Sequence, residues 1–530
     1  MRRDVATIAA WFAALSVAYW VGVFSLCGER GFPLDDSFIH LQFARNLYED
    51  GQMAFNKGVP SSGSTAPLYP MLLVAFYCLV RDWHLASYLL GGACSLGTAL
   101  AVYGILRSWT ARQDLARWGG LLTVVTCPTL VQAYTGMESP VYSFLFLLGL
   151  WLYARPGRRL RASAAFALCI WLRPEFLMML PLICLERAVA AYRAEHWRLA
   201  TFVRDVWPHA VLWTAMVALY CGYHWHQDGH LVPSTFAAKA VAPRSGRPAW
   251  VDGLPAAIQR GDPWCILLAI FFWPTAGLFL TGAGLGVNCA PLAFGLREAI
   301  VALWRNRGPE AAAWRLAVIS LVGYPYLRGF VDSLGFVLVF QFQRYCAHLT
   351  PLLIIVVLGA LPATGVVVQR SFWDWRGLPL PIQQRRTLRW AAVYLLVIGP
   401  LAVMSVWNID SMQVPLGRWV QENTAENALI ATNDIGAIGY LSRRPILDTV
   451  GLIEPAIAEH YIRGGTLLEY LQQRNPAYVI IFPRWYQDLS TRDDMLEPVK
   501  TIELDLNVVC GAAKMVVYKP KWDSHHSAPP

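Results

Sequence analysis

Charged residues are scarce in this chain of 530 residues. Asp, Glu, Lys and Arg make up 15% of it, whereas hydrophobic residues make up 56%. A soluble globular protein is about a quarter charged and about half apolar. The chain also lacks the glycine-rich phosphate loops GxGxxG and GxxxxGK[ST], which cradle nucleotide phosphates. The composition excludes a water-soluble enzyme, and no nucleotide pocket is visible.

Cysteine patterns that hold metals or disulfide frameworks are also missing. Ten of the eleven cysteines are scattered through the apolar part, only Cys510 lies in the tail, and no CxxC or Cys/His ligand spacing occurs. This distribution predicts neither a zinc module nor a disulfide framework.

The net charge of +9 belongs to the apolar part of the chain. Residues 1–407 carry 33 Lys and Arg against 20 Asp and Glu, whereas residues 408–530 carry 11 against 15. Lys and Arg in short loops mark the cytoplasmic side of a membrane protein. We therefore expect a membrane-embedded chain and no nucleic-acid partner.

Long apolar runs are abundant. A membrane-spanning helix needs about 20 apolar residues, and residues 5–27 satisfy this without a small-residue cleavage site, which predicts an uncleaved first helix. Further apolar runs lie near 85–106, 118–134, 140–154, 162–172, 176–187, 207–224, 264–300, 315–330, 348–368 and 390–407. Together they predict about eleven crossings.

Arginine clusters give the orientation. They fall in alternate loops, at 107–117, 155–161, 187–204, 305–315 and 370–389, which predicts a cytoplasmic N-terminus. The alternation requires that the apolar stretch 66–80 lies along the interface and that 162–172 and 176–187 form a hairpin around Arg173, Pro174 and Glu175. The outer face then receives loops 28–84, 135–139, 173–175, 225–263 and 326–347, and the tail after 407.

The first outer loop contains an aspartate pair. Asp35 and Asp36 precede apolar residues at helical spacing, which predicts a short interfacial helix over 37–48 that Asp36 or Ser37 caps. One interpretation is structural, because a carboxylate before a helix accepts backbone N–H bonds and complements the helix dipole. The other is catalytic, because a carboxylate is able to deprotonate a hydroxyl.

Further ionisable residues fall on the same predicted face. Glu138 lies in the turn TGMES, and an ionisable group at membrane depth usually faces a cavity or a partner; the alternative is an ordinary interfacial glutamate. Phosphate is best held by Arg and Lys, and the cations on this face are Lys57, Arg173, Lys239 and Arg344. Taken singly, each of these cations is also explained by snorkelling toward lipid headgroups.

The tail after 407 has a mixed composition. A helix-like stretch at 414–427 and strand-like stretches at 428–432, 477–482 and 510–519 predict a small α/β domain over 408–521. Residues 522–530 are expected to be disordered. The aromatic residues Trp419, Trp485 and Tyr486 offer faces for an acceptor glycan; the alternative is that they pack in the core.

The motifs in order resemble the GT-C superfamily of membrane glycosyltransferases. The resemblance consists of the aspartate pair, the helix with Ala-Arg-Asn, Phe-Asn-Lys-Gly before a Ser/Thr-rich turn and Leu-Tyr-Pro, then TGMES, WLRPEF, LVPSTFAAK, QRYCAHLTPLL and the start of the tail domain. The likeness is greatest to bacterial arabinofuranosyltransferases, with aminoarabinose and protein O-mannosyl transferases more distant.

The resemblance implies an α-helical polytopic membrane protein with a GT-C domain over 1–407, a catalytic first outer loop over 28–84 and an extracytoplasmic α/β domain. It implies inverting transfer of a sugar, such as arabinofuranose or mannose, from a polyprenyl-phosphate donor to a hydroxyl of an envelope glycan, lipid or protein. The membrane would be the bacterial cytoplasmic membrane, with a periplasmic active site and no metal or other cofactor. The acceptor, the sugar and the oligomeric state stay open.

The resemblance also assigns roles to residues. Asp35 is the preferred base with Asp36 as helper or cap, and Glu138 matches the Gly-x-Glu acid of the family. The expected phosphate-binding residues are Arg344, Lys239, Lys57 and Arg173, and the expected substrate-binding residues are His40, Asn56 and Glu175. His40 stands where the family commonly has an aromatic residue.

Three other functions compete with this prediction. A lipid-linked sugar transporter or flippase should have polar residues along its spans, but the groups able to do chemistry cluster in the outer loops. A non-catalytic scaffold would tolerate replacement of both aspartates. A ligase or polymerase that uses lipid pyrophosphate would require a divalent metal.

Overall fold

The computed structural model describes residues 1–125, 129–193, 198–235, 310–332, 347–360, 396 and 399–521. Its helices before the tail are α1 (Arg2–Cys27), α2 (Asp36–Asp50), α3 (Leu68–Val80), α4 (Trp83–Thr110), α5 (Gln113–Val125), α6 (Thr129–Ala133), α7 (Ser139–Tyr153), α8 (Arg159–Leu168), α9 (Met179–Arg193), α10 (Leu199–Asp228), α11 (Ala311–Asp332), α12 (Leu349–Ala360) and α13 (Gly399–Ser411). The predicted span 264–300 and the predicted disordered tail 522–530 lie outside the described residues.

Two described helices, α1 and α4, are long and apolar enough to cross a membrane. Helix α3 has 13 residues and is therefore about 20 Å long, which is shorter than the hydrocarbon core of about 30 Å. Helix α7, in a predicted crossing, has only 15 residues, so the interfacial position of residues 66–80 stays a prediction. The total number of crossings stays a prediction.

The predicted break around Arg173 is present, whereas the pairing of its two flanking helices as a hairpin stays a prediction. Helix α8 ends at Leu168, two short 3₁₀ turns follow at Cys169–Trp171 and Pro174–Met178, and α9 begins at Met179. Arg173 is extended between the two turns, because the residue before a proline avoids the helical region. The predicted apolar run 118–134 contains α5 and α6, and residues 126–128 between them lie outside the described residues.

The tail forms an α/β unit with a five-stranded sheet. Its elements are α14 (Gln413–Asn423), β1 (Ile430–Thr432), α15 (Gly436–Ser442), β2 (Ile446–Asp448), α16 (Pro455–Ile462), α17 (Leu467–Arg474), β3 (Tyr478–Ile481), α18 (Gln487–Ser490), β4 (Leu496–Glu503) and β5 (Lys514–Pro520). The strand order is β2-β1-β3-β5-β4. Strand β1 is parallel to β2 and β3, whereas β5 is antiparallel to β3 and β4.

The tail packs directly on the first outer loop. Helix α15 lies against α2, and Phe38 of α2 meets the Tyr440 ring of α15 at a centroid distance of 5.8 Å. One apolar core includes Ile8 of α1, Leu41 of α2 and Ile438 of α15. The start of α2 is therefore held between the helices of the N-terminal part and the α/β unit.

Candidate active site

Helix α2 carries the aspartate pair at its start. Asp35 is the N-cap residue and Asp36 the first helical residue, but the Asp35 side chain makes no capping bond to its own helix. The Ser37 hydroxyl donates instead to the carbonyl oxygen of Thr135. The prediction that Asp36 or Ser37 caps α2 is therefore wrong.

The Asp35 carboxylate caps another helix, α15. Its Oδ2 accepts the backbone N–H of Gly436 and its Oδ1 accepts that of Ala437, both at 2.7 Å. The first N–H groups of a helix have no partner within the helix, and a negative charge at this end is favourable. Asp35 thus joins the first outer loop to the tail.

A third carboxylate, that of Asp434, lies near Asp35 and Asp36. Burial raises the pKa of Asp35 well above its usual range, and the charges of Asp434 and Asp36 raise it further, whereas the N–H bonds from Ala437 and Gly436 lower it. Burial also raises the pKa of Asp434 to about 6; the charge of Asp36 raises it too, and the hydrogen bond from the Gln413 amide at 2.8 Å lowers it.

Sequence reasoning missed Asp434. The available signal was its position two residues after strand β1, because the carboxyl ends of parallel strands commonly carry functional residues in α/β folds.

A second group of ionisable residues is buried next to α2. His40 lies four residues after Asp36, on the same helix face, and its Nε2 is 3.1 Å from Oε2 of Glu138. The other Glu138 oxygen, Oε1, pairs with the Arg173 guanidinium, and Arg173 is 4.0 Å from Oε1 of Glu175. Glu138 is 2% exposed. The structure therefore brings four predicted site residues from three chain segments into one cluster.

The turn before Glu138 depends on Gly136. This glycine has a φ of +70°, which favours a residue without Cβ. A Cβ here would also lie 2.7 Å from the Phe32 ring and 2.8 Å from Cβ of Ser37. The TGMES turn thus packs directly against the start of α2. This contact places Glu138 next to His40.

Two other predicted residues have different surroundings. The Asn56 amide donates to the carbonyl oxygen of Ile446 at 2.7 Å and accepts the N–H of Ile446 at 2.8 Å, so Asn56 binds the main chain of edge strand β2. Lys57 is an exposed surface residue, with 75% of its side chain exposed, and its Nζ is 2.8 Å from Oδ1 of Asp50. This geometry supports neither the predicted substrate contact of Asn56 nor the predicted phosphate contact of Lys57.

The remaining predicted cations, Lys239 and Arg344, lie outside the described residues. In the ranges that are described, no group of three or more His, Cys, Asp or Glu residues is arranged to hold a metal ion. The expectation of metal independence stays a prediction.

The architecture of this chain is similar to that of solved structures of ArnT. ArnT from Cupriavidus metallidurans in the apo state superposes with a TM-score of 0.54 at 14% identity, over 96% of this chain and 98% of that chain. The same protein bound to undecaprenyl phosphate gives 0.53 at 13% identity, with the same coverage. This chain therefore has the fold of ArnT. It is a polytopic membrane fold with a C-terminal α/β domain.

Three further comparisons concern an oligosaccharyltransferase structure, a family model and the curated proteins. The Archaeoglobus fulgidus oligosaccharyltransferase in complex with Zn and sulfate matches with a TM-score of 0.48 at 12% identity, over 97% of this chain and 75% of that chain. A family model described as "Domain of unknown function (DUF8728)" matches residues 407–522. No curated protein matches the sequence. The likeness to ArnT confirms the expected fold, and the arabinofuranosyl specificity stays a prediction.

Proposed function

We propose that this protein is an inverting glycosyltransferase. It moves a sugar, such as arabinofuranose or mannose, from a polyprenyl-phosphate donor to a hydroxyl of an envelope glycan, lipid or protein. The observation that carries the proposal is the aspartate pair at the start of α2, one helical turn from the buried His40–Glu138–Arg173 cluster. The ArnT structure with undecaprenyl phosphate bound supports a lipid-phosphate donor, because the two chains share a fold.

Asp36 is the base in this proposal, although Asp35 was the preferred residue from the sequence. Each Asp35 oxygen already accepts a backbone N–H at 2.7 Å, so the Asp35 carboxylate is directed at the start of α15. A base must also direct a lone pair at the acceptor hydroxyl. Asp36 is the adjacent carboxylate and lies in the first turn of α2.

The reaction needs one proton transfer and one substitution. Asp36 removes the proton of the acceptor hydroxyl while the oxygen of that hydroxyl attacks the anomeric carbon of the sugar. The bond between that carbon and the phosphate oxygen breaks, and its electron pair leaves with the polyprenyl phosphate. Attack opposite the leaving group inverts the anomeric configuration, so the proposal requires no covalent enzyme intermediate.

The leaving phosphate needs positive charge. In the described part of the site, carboxylates predominate and the Arg173 guanidinium is paired with Glu138. We therefore assign the phosphate to Lys239 and Arg344, which the family motifs single out, and give Arg173 the role of holding Glu138. His40 and Glu175 are assigned to the sugar.

The proposal also covers the orientation of the protein in the membrane. The N-terminus lies in the cytoplasm of a bacterial cell, and the active site and the α/β domain over 408–521 face the periplasm. The arginine distribution in alternate loops supports this orientation.

The test is sugar transfer by membranes that carry wild-type protein, Asp36→Asn or Asp35→Asn, supplied with radiolabelled polyprenyl-phosphate sugars with and without a chelator. We expect Asp36→Asn to lower transfer about 10²- to 10⁴-fold, the usual contribution of a general base, at unchanged expression. Full activity in both variants would refute the mechanism. A requirement for divalent metal would indicate the lipid-pyrophosphate ligase, and movement of labelled lipid without transfer would indicate the flippase.

A further inference from the structure

We propose that the tail after residue 407 completes the candidate active site, with Asp35 as the positioning residue that fastens helix α15 to the start of α2. This inference rests on the proposed function, because it concerns the placement of the base Asp36. It differs from the role expected of a separate acceptor-binding domain, in which the tail would leave the geometry of the aspartate pair untouched.

The contact at Asp35 is specific. Both of its carboxylate oxygens are engaged by consecutive N–H groups of one helix N-terminus, and hydrogen bonds to an ionised acceptor are about twice as strong as neutral ones. Asp36 follows Asp35 directly in the chain. The contact therefore restrains the start of α2, the backbone segment that carries Asp36.

Gly436 permits this contact. A Cβ at position 436 would lie 2.1 Å from the main-chain oxygen of Asp35 and 2.6 Å from its Oδ2. No side chain other than hydrogen fits at these distances, because real Cβ atoms do not approach other heavy atoms so closely. The two backbones are thus in direct contact, and only glycine allows it.

Further bonds tie the same loop to the same unit of the tail. The Arg45 guanidinium donates to the carbonyl oxygen of Tyr440 at 2.9 Å and lies 4.5 Å from the centroid of the Tyr440 ring. Asn56 pairs with the main chain of Ile446 on strand β2 through two bonds. Contacts with α15 and β2 therefore hold three separate points of the first outer loop.

The docked tail also changes the electrostatics of the pair. It brings the Asp434 carboxylate close enough for its charge to raise the pKa of Asp35, and the charge of Asp36 in turn raises the pKa of Asp434. The N–H groups of α15 offset part of this repulsion at Asp35. The state of the aspartate pair thus depends on a segment about 400 residues away in sequence.

The decisive variant is Gly436→Ala in the full-length protein in lipid nanodiscs. It adds one methyl group, leaves every ionisable residue in place and improves intrinsic helix propensity. Gly92→Ala is the matched control, because no heavy atom lies within 4 Å of a Cβ at that position. Arg418→Ala is a second control, since it removes an exposed ion pair between α14 and Glu29 that we expect to contribute little.

Two quantities are measured, hydrogen–deuterium exchange at residues 36–50 and 436–442, and transfer kinetics across pH. We expect Gly436→Ala to raise exchange in both segments at least tenfold and to lower kcat about 100-fold, the effect of a misplacement of about 1 Å, with KM for the donor within threefold. Both controls should match wild type. Asp35→Asn keeps one acceptor oxygen, so it should retain part of the activity at every pH.

Each outcome decides the proposal. Wild-type exchange or wild-type kcat in Gly436→Ala overturns it. If Asp35→Asn abolishes transfer while exchange at 436–442 stays normal, Asp35 is the base and its positioning role is refuted. If the wild-type protein transfers no sugar from any donor, the proposed function fails, whereas the exchange data still decide whether Asp35 and Gly436 fasten the tail to α2.

Discussion

Arg173→Met tests the buried ion pair with Glu138. The substitution removes the cation but keeps a long apolar side chain. In the folded protein the Arg173 and Glu138 side chains are 8% and 2% exposed, so solvent does little to screen the pair. Loss of Arg173 leaves the Glu138 carboxylate buried without this cation, which costs about 3–5 kcal/mol for a pair of this kind.

The size of the effect follows from that cost. At about 1.4 kcal/mol for each factor of ten, the ratio of folded to unfolded protein should fall roughly 10²- to 10⁴-fold. Glu138→Gln alone should also destabilise, because Arg173 then loses its Glu138 partner and keeps only the longer contact of 4.0 Å with Glu175. The double variant Arg173→Met/Glu138→Gln removes both charges and should be more stable than the sum of the single effects indicates.

The assay is equilibrium unfolding in mixed micelles, followed by tryptophan fluorescence. Arg492→Met is the control, because Arg492 pairs at 2.9 Å with Asp494 on the surface, where 40% and 61% of the two side chains are exposed; its loss should cost about 1 kcal/mol or less. Wild-type stability in Arg173→Met, or strictly additive single effects in the double variant, would refute the reasoning about a coupled buried pair.

Two more predictions follow from the site. Lys57→Ala should leave the donor KM within twofold of wild type, because Lys57 is exposed and paired with Asp50; a tenfold rise would restore its predicted phosphate role. Asp434→Asn should become more stable relative to wild type as the pH rises from about 4 to about 6. The pKa of Asp434 is raised by burial to about 6, so its folded state binds the proton more tightly than the unfolded state and ionisation destabilises the fold. Unfolding titrations of both proteins at several pH values measure the difference, and a difference that does not change with pH contradicts the assignment.

Local patterns predicted many elements. The periodicity after Asp36 predicted α2, which the structure extends to Asp36–Asp50, and the Arg-Pro-Glu sequence predicted the turn between α8 and α9. Strand-like stretches predicted β1, β3 and β5. Strands β2 and β4 were not predicted; most residues of β4 are exposed or half-buried, so it lacks the apolar run that marks a buried strand.

The pairing of site residues was not predictable in the same way. Sequence reasoning placed Asp35, Asp36, His40, Glu138 and Arg173 on one face of the membrane, and the structure brings them close together. The roles changed with the contacts, because Asp35 turned out to face Gly436 and Asn56 to face Ile446. A residue type shows which chemistry is available, but not which atoms already have partners.

The sequence by itself determined the membrane character, the order of the motifs and the resemblance to a GT-C fold, because these depend on composition and on residues close together in the chain. Only the tertiary structure decided that the Asp35 carboxylate binds the start of α15. His40 and Glu138 are 98 residues apart, and Asp35 and Gly436 are 401 residues apart. No local periodicity records such contacts, since they form only when α2, the TGMES turn and α15 pack into one core.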